Sequence, residues 1–147
     1  MRNLGWGDYT MFADIDEFWT PRDLTSSIQD VLAEAGKPPI AAFNWLQLTS
    51  DTDAFGPTYA PQISGVHHQL VKSAFRSRLW VRNFMVHGVQ PMRKHKIWSA
   101  SGREITHGEW HMTQGAPEDF GSAFMVHRMY RSPLEYLAIL GRGRSNF

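Results

Sequence analysis

Residues 9–18, YTMFADIDEF, set three carboxylates, Asp14, Asp16 and Glu17, within four positions directly after an apolar run. The run is short enough for a buried strand, and the spacing predicts one over 9–15, with the acidic groups at its carboxyl end. Open α/β sheets place their ligands at that end. In an extended chain side chains alternate, so Asp14 and Asp16 project to one side while Ile15 and Glu17 project to the other. Two converging carboxylates repel unless a cation sits between them, and hard oxygen ligands suit Mg²⁺ or Mn²⁺. Such an ion neutralises a diphosphate leaving group as a Lewis acid. The plain alternative is a solvated acidic turn with no ligand.

Outward from this stretch, Pro21 breaks the chain, and Leu24, Ile28, Val31, Leu32 and Ala35 recur at helical spacing. A helix is predicted over 24–35, capped by Asp23 or Thr25 and stopped at Gly36. A second buried strand is predicted over 40–48, following Pro38 and Pro39, and a turn-rich loop follows it. Strand, helix and strand together predict an α/β unit. Residues 64–90 mix basic and aromatic side chains without a clean period, so only one or two short strands are expected there. Loops and hairpin material are expected over 98–121. Ser132 and Glu135 form a capping box with Pro133 at the first helical position, which predicts a C-terminal helix ending at Gly141.

The chain has 147 residues and is 42% hydrophobic, the size of one domain with a genuine core. Its 15 Lys and Arg against 14 Asp and Glu give a net charge of +1, and that balance does not call for nucleic acid. With no cysteine there is no disulfide, zinc-thiolate site or thiol nucleophile, which fits a reducing compartment. No apolar run is long enough to span a bilayer, so no transmembrane segment is expected. The expected location is the cytoplasm, with the membrane surface as an option. An aromatic share of 13% suits a core, or a cleft of flat surfaces for sugar rings or bases.

Two families resemble parts of this pattern. FADIDEF is similar to the haloacid dehalogenase motif up to Asp16, with Asp14 in the nucleophile's place, but Phe18 stands where that family has Thr or Val. More of the chain resembles the family 92 and related family 2 glycosyltransferases. DIDEF, Pro21 and an amphipathic helix are followed by FNWLQLTSDTDAFGP, whose Asn44, Trp45 and Phe55-Gly56 echo that family's aromatic strand and loop. Lys72, Arg82 and His87 match its central segment loosely. VHRMYRSPLEYLAILGRGRSN matches its last segment through His127, Tyr130, Ser132, Glu135, Tyr136, Arg142 and Gly143.

This resemblance implies a GT-A type, Rossmann-like fold and a metal-dependent, inverting transfer of a sugar to a glycan acceptor. The donor implied is a nucleotide-diphosphate sugar, a UDP-sugar first. The metal, Mn²⁺ or Mg²⁺, falls to Asp14, Asp16 and His127, with His87 as second choice. Donor and acceptor contacts fall to Asp14, Glu17, Trp45, Lys72 and Arg82. Glu17, pointing away from the metal pair, would orient backbone or nucleotide. The inverting base is sought among carboxylates, with Glu109 and Asp119 as candidates. Each residue also has a plainer reading: Trp45 as core, and Lys72, Arg76, Arg78 and Arg82 as a solvated strand face. His67, His68, His95, His107 and His111 are read as surface or core histidines.

The family carries its D-x-D about a hundred residues into the domain, whereas here it begins at Asp14. A single domain fragment is therefore expected over 1–147, the metal-binding and acceptor-side half, lacking most of the nucleotide-binding half. Such a fragment would be inactive alone and prone to oligomerise through an exposed sheet edge. The alternatives are a noncatalytic relic or binding domain, and a dehalogenase-like phosphohydrolase.

Overall fold

The computed structural model describes residues 8–48, 65–106 and 108–128 together with Leu137 and Gly141. These residues form a mixed α/β structure that is mostly strand. In chain order the elements are β1 (Tyr9–Met11), β2 (Glu17–Pro21), α1 (Ile28–Glu34), β3 (Ile40–Leu48), β4 (Gly65–Arg76), β5 (Val81–Phe84), β6 (Val89–Pro91), β7 (Ile97–Ser99) and β8 (Ala123–His127). The main sheet runs β1-β4-β3-β8-β2, and β5 and β6 make a separate two-stranded hairpin.

β3 is central because both of its edges are paired along most of its length. β4 runs antiparallel on one side; on the other, β7 pairs with Ile40–Ala42 and β8 with Trp45–Gln47, both parallel. β3 keeps the bounds that its apolar run predicts, since a strand covered on both faces reads as continuous hydrophobicity. The first strand of the predicted α/β unit is β1, which lies parallel to β3 with β4 between them, since both run antiparallel to β4; β2 intervenes in the chain before α1. β2 is antiparallel to β8, which is parallel to β3, whereas a βαβ crossover joins parallel strands.

Cross-strand partners share a face, so the pairs Phe43 with Lys72, Trp45 with Met125 and Glu17 with His127 define one side of the sheet. Toward one end this side is apolar: Ala41, Phe43, Ala74 and Ala123 pack with Val31 and Leu32 of α1. Phe43 is edge-on to Trp19 and Trp98, with ring centroids 5.9 and 6.3 Å away. Toward the other end, at the carboxyl ends of β3 and β8, it turns polar. The opposite side holds Ile40, Phe75 and Val89. It also holds Asn44, whose amide donates to Thr113 at 3.0 Å and accepts from Ser101 at 2.8 Å. Asn44 thus stitches the 101–113 segment onto β3.

α1 begins four residues later than the periodicity predicts. Asp23 turns back on the amides of Thr25 and Ser26, Leu24 takes a positive φ of 59°, and Ser27 becomes the cap in a reciprocal capping box with Asp30. Gly36, at φ 73°, ends the helix as expected. The described sheet's edges are β1 and β2, of three and five residues. Most of the C-terminal helix and the Phe55-Gly56 loop lie outside the described residues. Leu137 and Gly141 are both helical.

Candidate functional site

The acidic stretch is not extended. β1 stops at Met11, and the chain turns so that the Glu17 amide donates to the Asp14 carbonyl at 3.0 Å before β2 begins. The turn overrides the alternation that would pair Asp14 with Asp16. Asp14 and Glu17 converge instead, and Glu17 does not point away from the carboxylates.

Their cation is Lys72. It projects from the middle of β4 with a side chain only 1% exposed, and its ammonium lies 3.0 Å from Asp14 and 2.9 Å from Glu17. It also donates to the Val86 carbonyl at 2.7 Å. Two acceptors take hydrogen bonds from the ammonium and Glu17 adds a close opposite charge, which together compensate its burial. Glu17 in turn accepts from the Asp14 amide at 2.9 Å, so one carboxylate fixes both the turn and the ammonium.

Asp16 takes a different partner. Its carboxylate lies 3.7 Å from Nε2 of His127, the last residue of β8, and its carbonyl accepts from the Arg128 amide. His127 packs on Trp45 with ring centroids 4.0 Å apart, and His87 packs on the same indole at 4.9 Å. His111 follows beyond His87 at 6.2 Å. Asp14, Asp16, Glu17, Trp45, Lys72, His87 and His127, drawn from five separate stretches, therefore form one connected cluster.

Four of these residues hold a buried polar atom with no partner among the described residues: Oε1 of Glu17, Nε1 of Trp45, and Nδ1 of both His87 and His127. Buried polar atoms are nearly always hydrogen-bonded, and leaving one unpaired costs about 1–3 kcal/mol. Three of the four sit on the stacked rings of Trp45, His87 and His127, and the fourth on the carboxylate that meets Lys72. No three of His, Asp and Glu among the described residues come close enough to cage a metal ion unaided.

The remaining candidates fall elsewhere. Asp119 is pinned by Arg22 and by the Gly121 amide, an exposed arrangement that holds its carboxyl below the usual range. It shapes the turn before β8 and touches no member of the cluster. Glu109 is exposed and contributes its backbone to a turn, and Arg82 is exposed on β5. His111 and the Val86 carbonyl, which the sequence does not single out, do join the cluster. No motif marks them, because they arrive through the hairpin and the loop after β7.

His87 is pushed down from an ordinary 6.5 to about 4, first by burial and then by the Lys72 charge, with His111 and His127 adding and Asp14 opposing. It is neutral in the folded protein at pH 7. Because its folded value lies below its unfolded one, the unfolded chain takes up a proton that the folded chain refuses. This contribution to stability is complete above pH 6.5 and declines as pH falls toward about 4. His87→Gln is expected to flatten that part of the stability profile relative to the parent, as read by urea denaturation at stepped pH. Parallel profiles would refute the assignment.

No family model, curated protein or solved structure matches this chain.

Proposed function

We propose that this chain carries the metal-binding and acceptor-side groups of an inverting glycosyltransferase of GT-A type, using a nucleotide-diphosphate sugar and a glycan-type acceptor. The observation that carries the reading is the gathering of Asp14, Asp16, Glu17 and His127 at one end of the sheet beside the buried Lys72 ammonium. The same residues carry the glycosyltransferase resemblance in the sequence.

Asp16 and His127 are the pair that fits a divalent ion. Ions such as Mg²⁺ take one or two protein carboxylates and complete their shell with water and substrate phosphates, so a two-residue platform suffices. When bound, the ion supplies charge neutralisation for a departing diphosphate. Lys72 holds Asp14 and Glu17 in place, and Trp45, buried in the core as its plainer reading expects, packs His127 and His87 in position.

One observation favours a second reading. Lys72 already pairs with Asp14 and Glu17, so the acidic turn has an internal cation and is stable as a structural device. A noncatalytic saccharide-binding or relic domain follows if no metal binds.

Calorimetric titration of the full chain with Mn²⁺, in the presence and absence of UDP, separates the two. The glycosyltransferase reading expects binding that UDP strengthens and that Asp16→Ala weakens at least about tenfold, the scale on which even outer-shell changes act at metal sites. Absence of Mn²⁺ binding with UDP present, or equal binding by Asp16→Ala, overturns it in favour of the second.

A further inference from the structure

Between Asp53 and Glu104 the chain has no carboxylate and eight of its 15 Lys and Arg residues. Lys72 is consumed inside the cluster, and Arg76 donates to the Lys37 carbonyl. The cations that flank and occupy the β5–β6 hairpin, Arg78, Arg82, Arg93, Lys94 and Lys96, are exposed, and none meets a carboxylate among the described residues. A local positive surface results on a chain whose net charge is only +1.

The same hairpin carries exposed apolar side chains. Trp80 is 79% exposed, Val86 66%, Phe84 65% and Met92 54%. The Met92 amide donates to the Trp80 carbonyl at 2.9 Å, which sets those two side by side at the base, while Met85 and Gly88 exchange backbone hydrogen bonds across Val86 at the tip. Phe12, half exposed, meets Phe84 edge-on at 5.8 Å and widens the patch. Leu79, Val81 and Val89 pack against Ile40 and Phe75, so the hairpin is anchored to the sheet. Contiguous exposed apolar surface marks an interaction site, and cations around it select the partner's charge.

We propose that the β5–β6 hairpin docks this protein on the surface of an anionic lipid bilayer. Trp and aliphatic side chains enter the headgroup boundary while surrounding Lys and Arg meet lipid phosphates. A single-stranded nucleic acid would use a row of aromatic faces in a groove, and Val86 and Met92 offer none. A second copy related by a two-fold axis would set these cations against themselves. The inference is independent of the glycosyltransferase reading. It has a geometric consequence for the site, because the hairpin tip gives the Val86 carbonyl to Lys72 and lays His87 on Trp45. A docked hairpin therefore holds the cluster close to the bilayer.

Flotation of the full chain with phosphatidylcholine vesicles, with and without phosphatidylglycerol, tests it. Binding is expected only with the anionic lipid, and high salt releases it. Each cation near such a surface is worth about fivefold in partitioning, so Arg93→Ala/Lys94→Ala/Lys96→Ala is expected to weaken binding about a hundredfold. Trp80→Ser, also a surface change, reduces it further. Equal flotation with neutral vesicles, no flotation with either, undiminished binding by the triple variant, or release by a single-stranded RNA that binds more tightly would each overturn the proposal.

Discussion

Lys72→Met is expected to cost the fold about 3–5 kcal/mol, the scale for removing one member of a buried ion pair. The lysine side chain is 1% exposed and that of Glu17 is 0% exposed, so neither reaches water when its partner is lost. Asp14, with a side chain 59% exposed, can return to solvent, but Glu17 is stranded with one oxygen already unpartnered. The double variant Lys72→Met/Glu17→Leu is then expected to regain most of the loss, because well-packed apolar residues often replace a buried pair without penalty. Urea midpoints of the single and double variants decide this. A single variant within about 1 kcal/mol of the parent would show that Glu17 is not held by Lys72.

The cost of Lys72→Met also explains why half of this architecture is hard to read from residues alone. β3 is legible because it is buried on both faces and nearly every position is apolar. β4 is its longest neighbour, yet His67, His68, Gln69, Lys72 and Ser73 break any simple period. Lys72 belongs there only because carboxylates from a turn some sixty residues earlier reach it, a compensation no local pattern displays. β8 is hidden for a related reason. Five residues between turn-rich segments look like part of a loop, until β2 and β3 pair with both of their edges.

Most members of the cluster are legible from the residues, although Arg82, Glu109 and Asp119, named with them, lie elsewhere. The cluster's arrangement is not legible. Alternation along an extended strand pairs Asp14 with Asp16, but the bond from the Glu17 amide to the Asp14 carbonyl rotates Glu17 into Asp16's expected place. A single turn thereby exchanges the roles of two adjacent carboxylates: one joins the internal lysine and the other is left facing His127. The helix start moves for a similar local reason, because Asp23 satisfies the amides of Thr25 and Ser26 and leaves Ser27 as the first residue free to cap.

Gly121→Ala is expected to destabilise the protein by about 3 kcal/mol or more, combining backbone strain with overpacking. Gly121 has φ +70°, a region alanine enters only with strain, and a Cβ there would run into the carbonyl oxygen of Ala100. That carbonyl cannot easily yield, because the Ala100 amide is tied to the Ala42 carbonyl of β3 at 3.0 Å. Gly102, at φ +72° with nothing within 4 Å of where an added methyl would sit, supplies the control. Gly102→Ala carries the backbone strain alone, about 1 kcal/mol, so the difference between the two melts isolates the collision. Gly121 also begins the approach to β8, whose register sets Met125 beside Trp45 and His127 opposite Glu17. If the proposed metal site stands, a folded Gly121→Ala protein is expected to lose Mn²⁺ binding at Asp16 and His127 while Gly102→Ala keeps it. Equal losses of stability in the two alanine variants would show that the turn relaxes freely, and that β8 is positioned by its strand pairs alone.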